Sequence, residues 1–231
     1  MMNQNRQVYW DGEIYEKLFL QLEKSGEALQ VGLQAPMIDP IQELRKHMAR
    51  TKRKIYGFEV KFFHLKLLRI SLPDYVESLC RLGVDKFIVL KRRNTIKKIV
   101  SSLIAHKTRQ YHLRDEKQGR RQTIELDPDR VKIDRDAKSL LAFLQSYAEQ
   151  FDLLDKLLAP QATLNLVYED DLFQDPRLGY QKLCDFLNIT CREPVIRFVK
   201  TNPYKLSDLI GNFTEVERAL YKTPFAWMLY E

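Results

Sequence analysis

The sequence predicts an α/β fold in which a parallel sheet is flanked by helices. Residues 86–112 combine four consecutive β-formers, Phe87 to Leu90, with an apolar stripe at helical spacing that starts at Ile96. Residues 55–90 predict strand, helix and strand in succession, a βαβ unit whose crossover implies parallel pairing. A third strand, at residues 162–168, precedes a further helix start.

Helix ends are marked by local signals. Asp39-Pro40 and Asp175-Pro176 each predict a helix start, because Asp caps the first free N–H groups and Pro already has the backbone angle of the first turn. Gly83 predicts the end of a helix over residues 73–82. A short helix within residues 9–33 is predicted by apolar residues at four-residue intervals: Ile14, Leu18 and Leu22.

Other segments are predicted from periodicity and polarity. Residues 55–65 alternate in the manner of a strand, and the Phe87 strand is expected to be buried on both faces, as is typical of parallel sheets. Residues 113–132 are polar without a clear period, which predicts an exposed insertion or loop. Asp136 is predicted to cap the long helix that follows.

Composition fits one domain over residues 1–231 with a basic surface. The chain is 45% hydrophobic, enough for one sizeable core, and carries a net charge of +7 with a pI near 9.2. That charge favours polyanionic or phosphorylated partners, and a nucleic acid, an anionic membrane surface or a nucleotide would each satisfy it.

The cysteines and the hydropathy of the chain indicate the kind of cellular compartment in which the protein resides. The three cysteines are dispersed and lack CxxC or Cys/His spacing, so neither a disulfide framework nor a zinc site is indicated. The first residues lack the apolar core of a signal peptide, and no apolar run approaches the roughly 18 residues of a membrane span. These features predict a soluble, cytoplasmic protein.

The cationic turn after the Phe87 strand is suited to a phosphate. Arg93 stands at the carboxyl end of the strand and Ser101 two turns into the next helix, near N–H groups that favour anions. Arg pairs two phosphate oxygens with a planar fork, which makes Arg93 a better anchor than a lysine. The alternative is a solvated basic helix packed on the sheet.

Arg93 followed eight residues later by Ser101 resembles the 3′-phosphate signature of sulfotransferases that use 3′-phosphoadenosine 5′-phosphosulfate. The string RRNTIKKIVSSLIAHKT is similar to the bacterial branch of that superfamily, with its nodulation and glycolipid enzymes. The resemblance implies that Arg93 and Ser101 bind the 3′-phosphate of this nucleotide, whose product form is adenosine 3′,5′-bisphosphate. It also implies a three-layer, P-loop-like parallel sheet.

A second block, LVYEDDLFQDPRLGYQKLCDFLNI, resembles the strand, YEDL, DP, helix and FLGI block found late in sulfotransferases. The alternative is an ordinary βα unit. The C-terminal segment from Lys200 is similar to the end of the family, which implies that Lys200 contacts the nucleotide or the sulfonate. A lone surface lysine is the alternative.

The resemblance also assigns catalytic candidates and requires no metal. WDGEIY resembles the short motif that supplies a catalytic glutamate, so Glu13 is the first candidate base. His64 is the second, because in the cytosolic branch a histidine at the end of the corresponding strand is the base. Lys61 is the candidate local cation, although Glu59 could simply pair with it. Structural roles for Glu13 and His64 remain as alternatives.

One family feature is missing from this sequence. Sulfotransferases begin with a strand and a PRSGST-like loop around the 5′-phosphosulfate, and none of the eight glycines lies in such a context. We therefore expect the fold to lack this N-terminal βα unit and the chain as given to have weak or no transferase activity. A truncated product, a diverged binding protein or a loop supplied by another chain would each account for this.

The sequence is compatible with three functions. The first is sulfuryl transfer to a hydroxyl or amine of a carbohydrate, glycolipid or small-molecule acceptor. The second is a non-catalytic module that binds 3′-phosphonucleotides. The third is a basic nucleic-acid-binding protein that uses residues 45–54 and 91–98 on phosphates. The acceptor and the oligomeric state, including a homo-oligomer, are not specified by the sequence.

Overall fold

The computed structural model describes residues 1–24, 38–111, 121–197 and 203–231. These residues group into two compact units. Unit 1 comprises residues 1–90, 152–166 and 170–194, and unit 2 comprises residues 91–151, 167–169 and 195–231. The prediction of a single domain over residues 1–231 stays a prediction.

The described residues form a mixed α/β structure, which confirms the predicted class. In chain order, its strands and helices are β1 (Val8–Glu13), α1 (Ile14–Lys24), α2 (Pro40–Met48), β2 (Ile55–Glu59), α3 (Phe62–Leu68), α4 (Leu72–Leu82), β3 (Lys86–Lys91), α5 (Thr95–Thr108), β4 (Val131–Ile133), β5 (Asp136–Lys138), α6 (Leu140–Leu158), β6 (Ala162–Val167), α7 (Pro176–Leu187), α8 (Leu206–Leu209) and α9 (Phe213–Leu220).

Within the described ranges, the strands pair in three two-stranded sheets and do not form one continuous sheet. β1 pairs with β2 in parallel, β3 pairs with β6, and β4 and β5 form an antiparallel hairpin. Direct pairing of β2 with β3, expected from the βαβ pattern, is therefore wrong within the described residues. Each of these two strands instead pairs with a strand far from it along the chain.

The predicted caps at Asp39 and Asp175 and the predicted helix end at Gly83 are confirmed. The Asp39 carboxylate accepts hydrogen bonds from the N–H groups of Ile41 and Gln42 at 2.9 and 3.0 Å. Asp175 and Asn94 cap α7 and α5 in the same way, each through one N–H group at 3.0 Å. Gly83 ends α4 with φ of 93°, in the left-handed region that glycine adopts without a steric cost.

The second half of the predicted strand 55–65 is wrong, because a helix begins there. β2 ends at Glu59 and α3 starts at Phe62. The N–H of Lys61, the residue before the helix, donates to the His64 side chain at 3.1 Å. This cap and the burial of Leu65 and Leu68 in the unit 1 core override the alternating pattern.

Two predictions in unit 2 also need correction. Residues 121–132 are not an exposed insertion, because Ile124, Leu126 and Val131 are buried in the unit 2 core. Asp136 begins β5 and caps no helix. The N-terminus of α6 is instead capped by Ser139, whose hydroxyl accepts from the N–H of Ala142 at 3.2 Å.

β3 is buried on one face only, in contrast to the prediction. Val89 is 5% exposed, whereas Ile88 and Leu90 are 37% and 50% exposed. Successive side chains of a strand point to opposite faces, so the two exposed residues share one side. β3 is therefore half-buried within the described part of the chain.

Each unit has its own apolar core. The core of unit 1 contains the fully buried Tyr15, Phe19 and Leu44. In unit 2, the predicted α5 stripe is confirmed, since Ile96, Ile99, Val100 and Ile104 are all buried there.

None of the helices in the described ranges has both the length and the apolar composition needed to cross a bilayer. The longest of these helices, α6, has 19 residues and includes acidic and basic side chains.

Candidate functional site

The predicted catalytic residues Glu13, Lys61 and His64 lie together in unit 1. Glu13 ends β1 and is the register partner of Glu59, which ends β2. The Lys61 Nζ atom lies 2.7 Å from Glu13 Oε2, and His64 Nε2 lies 3.8 Å from the same oxygen. The carboxyl ends of two parallel strands and the N-terminus of α3 thus converge on one cluster, as is typical of sites in α/β folds.

The backbone around Gly12 brings Glu13 to this position. The register between β1 and β2 shifts between Trp10 and Glu13, and Gly12 has φ of 71°. That conformation is costly for residues with a Cβ atom, so glycine allows the chain to bend before α1 begins.

The His64 side chain places a hydrogen-bond donor, its Nε2–H group, beside the carboxylates of this cluster. Its ring is fully buried and packs edge-on against three aromatic rings, those of Tyr15, Phe19 and Phe63. Its Nδ1 atom accepts the hydrogen bond from the Lys61 N–H, so in the neutral imidazole the proton lies on Nε2. Nε2 has no hydrogen-bond partner among the described residues.

The tautomer distinguishes the two candidate bases. The lone pair of neutral His64 lies on Nδ1 and is already engaged by the backbone, whereas Glu13 has carboxylate oxygens and a side chain 33% exposed. The geometry therefore favours Glu13 as the base and His64 as a donor. His64 also lies in the first turn of α3 and not at a strand end.

Two further carboxylates belong to the cluster. Glu16, in the first turn of α1, places its Oε2 atom 3.7 Å from His64 Nε2. Desolvation and the neighbouring Glu13 carboxylate raise the pKa of Glu59, although the residue remains exposed to solvent. Glu16 could have been found from its position three residues after Glu13, but the place of Glu59 depends on the β1–β2 register.

The cluster has the spacing but not the chemistry of a metal centre. One ligand atom from each of Glu13, Glu16 and His64 lies within 4.8 Å of the others. A metal-bound imidazole nitrogen must offer its lone pair, whereas Nε2 carries the proton here. The Lys61 ammonium also already neutralises Glu13. These residues therefore do not fit a divalent cation in this arrangement.

A separate polar network in unit 1 is centred on Asp11. This carboxylate, 7% exposed, accepts from His47 Nδ1 at 2.6 Å, from the Tyr56 hydroxyl at 2.9 Å and from Lys17 Nζ at 3.0 Å. Burial alone raises the pKa of Asp11, but these hydrogen bonds outweigh it and hold the pKa below its usual value. The network links α2 to β1 and β2.

The predicted anion-binding turn is present, and a carboxylate of the protein occupies its backbone donors. The chain passes from β3 into α5 as expected. The N–H groups of Arg93 and Asn94 donate to the Glu169 carboxylate at 3.0 and 3.4 Å. Glu169 belongs to the YEDDL turn after β6, so the turn binds a residue of the second predicted motif.

The two arginines of the turn differ in exposure. The Arg92 guanidinium lies over the Tyr168 ring at 4.6 Å, with Nε 3.6 Å from Glu169, and burial lowers its pKa. Arg93 is exposed, so of these two guanidinium groups it is the more accessible to a ligand. Ser101 is half-buried in α5. Joint binding of a phosphate by Arg93 and Ser101 stays a prediction, and Lys200 lies outside the described residues.

Replacing Glu169 with alanine is expected to turn this position into a site for free oxyanions. The variant loses the carboxylate from two backbone donors and from Arg92, so we expect the free energy of unfolding to fall by about 2 kcal/mol. Sulfate should then raise the melting temperature of Glu169→Ala more than that of the wild type. Asp170→Ala, which removes the adjacent exposed carboxylate, is the control. An equal response to sulfate in both variants would contradict this assignment.

No protein-family model, curated protein sequence or solved structure matches the chain. A functional assignment therefore has to be supported by the motifs and by the geometry of the two regions described above.

Proposed function

We propose that this protein is a sulfotransferase with a P-loop-like fold that uses 3′-phosphoadenosine 5′-phosphosulfate. The acceptor is a hydroxyl or amine of a carbohydrate, glycolipid or small molecule. The observation that carries the proposal is the convergence of Glu13, Lys61 and His64 at the carboxyl ends of β1 and β2. The two motif blocks, in the family order, support it.

In the proposed reaction, an acceptor hydroxyl attacks sulfur in line with the leaving 5′-phosphate. Glu13 takes the hydroxyl proton as the new oxygen–sulfur bond forms, and the bond between sulfur and the bridging phosphate oxygen breaks. Lys61 contributes a positive charge beside Glu13, at 2.7 Å, and His64 donates its Nε2 proton as a hydrogen bond. Positioning and charge stabilisation supply most of the rate enhancement in such displacements.

The nucleotide is bound in this proposal through its 3′-phosphate. Arg93 pairs two phosphate oxygens with its planar guanidinium, and Ser101 donates its hydroxyl to the same group. Glu169 fixes the backbone of the turn by accepting the N–H groups of Arg93 and Asn94. Discrimination between nucleotides therefore depends on the Arg93 and Ser101 side chains.

A thermal-shift comparison of two nucleotides tests this function. Adenosine 3′,5′-bisphosphate, at about 100 times its dissociation constant, should stabilise the protein by about 2.7 kcal/mol, and adenosine 5′-monophosphate should have little effect. Arg93→Ala should abolish the shift. Arg130→Ala, which removes another exposed arginine of unit 2, should retain it. Equal shifts for the two nucleotides, or a full shift in Arg93→Ala, would refute the assignment.

The same protein and nucleotides also test two alternative functions. Turnover of 3′-phosphoadenosine 5′-phosphosulfate with an acceptor distinguishes a transferase from a non-catalytic binding module. A nucleic-acid-binding role is favoured by the net charge of +7 and by exposed basic residues in and after α2, namely Arg45, Lys46, Arg50, Lys52, Arg53 and Lys54. That role predicts nucleic-acid affinity that falls steeply with salt, without any response to the bisphosphate.

A further inference from the structure

The starting observation is that two cysteines of unit 1 are in side-chain contact. Cys184 lies in the last turn of α7 and is fully buried, whereas Cys191 lies beyond the helix and is exposed. A hydrogen bond joins the two thiol groups. The cysteines are separated by six residues and lack CxxC spacing, so the fold and not a short motif brings them together.

The backbone after α7 turns back toward Cys184. Asn188, the residue that follows the helix, has φ of 53°, in the left-handed region. The N–H of Ile189 then donates to the Cys184 carbonyl at 3.0 Å. This pattern is a common way for a helix to end, because it reverses the chain and pairs a carbonyl of the last turn. Residues 189–191 therefore start beside the buried cysteine.

The residue before Cys191 is held in place by side chains from the N-terminal segment. The Asn5 amide donates to the Tyr180 hydroxyl at 3.3 Å and to the Thr190 carbonyl at 3.0 Å. The N–H of Thr190 donates to Gln7 Oε1 at 2.9 Å. Tyr180 lies one helical turn before the buried cysteine, on the same side of α7. These bonds fix residue 190 near that side of the helix without any contribution from the thiol groups.

The two thiols differ in their access to an oxidant. Cys184 belongs to an apolar cluster with Val8, Tyr180 and Ile189, and burial raises the pKa of its thiol, so it stays protonated at neutral pH. Cys191 lies outside helices and strands and faces solvent. An accessible cysteine beside a shielded one is the arrangement in which the first is oxidised and the second then displaces the oxidised group.

We propose that Cys184 and Cys191 form a reversible redox modification site, which hydrogen peroxide converts into an intramolecular disulfide. In the first step, the Cys191 sulfur attacks one peroxide oxygen, the oxygen–oxygen bond breaks, and the thiol proton leaves with the second oxygen as water. The product is a sulfenic acid on Cys191.

In the second step, the Cys184 sulfur attacks the sulfur of that sulfenic acid. The sulfur–oxygen bond breaks, and the hydroxide leaves with the Cys184 proton as water. Overall, the two thiols lose two electrons and two protons, and one peroxide is reduced to two water molecules. A dithiol reductant reverses the reaction by thiol–disulfide exchange.

The test is peroxide treatment of the full chain after complete reduction. The protein is exposed to a small molar excess of hydrogen peroxide, alkylated with N-ethylmaleimide in denaturant, digested with trypsin and analysed by mass spectrometry. Residues 183–192 form one tryptic peptide with both cysteines, because Lys182 precedes it and Arg192 ends it. We expect this peptide to carry no adduct and to be two hydrogens lighter than its reduced form. Dithiothreitol should restore both alkylation sites.

Three variants assign the roles of the cysteines. In Cys184→Ser the reaction should stop at the sulfenic acid of Cys191, which dimedone labels. In Cys191→Ser the oxidation of Cys184 by peroxide should be at least about tenfold slower than the oxidation of the pair in the wild type. Because Cys191 is exposed, this second variant keeps the wild-type core, and the test does not depend on the buried substitution. Cys80→Ser, the matched control on α4, should form the disulfide as the wild type does.

Alkylation of both cysteines in the peptide after peroxide treatment would overturn the proposal. Further oxidation of Cys191 to a sulfinic acid in the wild type, or disulfide-linked dimers through Cys191, would also overturn it, because either result shows that Cys184 does not reach the oxidised sulfur. None of these measurements requires nucleotide or acceptor, so this proposal is tested independently of the transferase function.

Discussion

Asn94→Ala is expected to lower the free energy of unfolding by about 3 kcal/mol. The Asn94 side chain is buried, caps α5 by accepting from the Lys97 N–H at 3.0 Å and donates to the Met228 carbonyl at 2.6 Å. Alanine removes the cap, worth about 1 kcal/mol, and leaves a carbonyl unpaired, which costs about 1–3 kcal/mol. Denaturant unfolding measures the loss, and the melting temperature should fall by about 8 °C.

Asn94→Ser provides the matched control. Serine keeps an acceptor at the cap but cannot reach the Met228 carbonyl, so its effect should lie between those of wild type and alanine. A loss below about 1 kcal/mol in Asn94→Ala would show that the bond to Met228 contributes little, whereas an equal loss in both variants would show that the cap contributes little.

Asp11→Asn is expected to destabilise the protein by about 2 kcal/mol at neutral pH and by much less in acid. The amide cannot accept from His47, Tyr56 and Lys17 as the carboxylate does. Because the folded-state pKa of Asp11 is lowered, its contribution is complete above the unfolded value of about 3.9 and is lost as the pH falls through the folded pKa. Unfolding curves of the two proteins should therefore converge below about pH 3.

Tyr56→Phe is a second test of the hydrogen-bond network around Asp11. It removes one neutral donor to Asp11, so it should cost about 1 kcal/mol at neutral pH. Asp129→Asn, an exposed carboxylate, should change stability by less than about 0.5 kcal/mol. A difference between wild type and Asp11→Asn that stays constant from pH 7 to pH 3 would contradict the assigned pKa direction.

Helix ends were predictable because their signals are local. Asp39 and Asp175 satisfy N–H groups within three residues, and Gly83 adopts a backbone angle that few other residues tolerate. Such features depend on the immediate neighbours in the chain. Asp136 failed as a predicted cap because the β4–β5 hairpin, also a local structure, includes it.

Strand pairing was less predictable because it is non-local. Only three β-formers, Val8 to Trp10, precede Asp11-Gly12, so β1 has little signal of its own and exists through pairing with β2. Residues 60–65 show the opposite effect. Their alternating pattern is typical of a strand, but burial of α3 in the core of unit 1 stabilises a helix there.

The candidate site was likewise predictable from the sequence only where its signals are local. Glu13, Lys61 and His64 were found individually from motif resemblance, and their grouping required the fold. Glu59 joins them through the register of β1 and β2, which no short motif encodes. Glu169 was visible in the YEDDL string, but its role at the α5 N-terminus depends on contact with Arg93 and Asn94.

The bond between the Lys61 N–H and His64 Nδ1 has a consequence for proton movement. A histidine relays a proton across its ring only when one nitrogen can release a proton while the other gains one. Nδ1 faces a backbone amide that does not ionise, so His64 cannot act as a conduit between the cluster and the protein interior. In the proposed reaction, a proton taken up by Glu13 therefore leaves for bulk water directly from the carboxylate, because the Lys61 ammonium beside it has no lone pair to accept a proton.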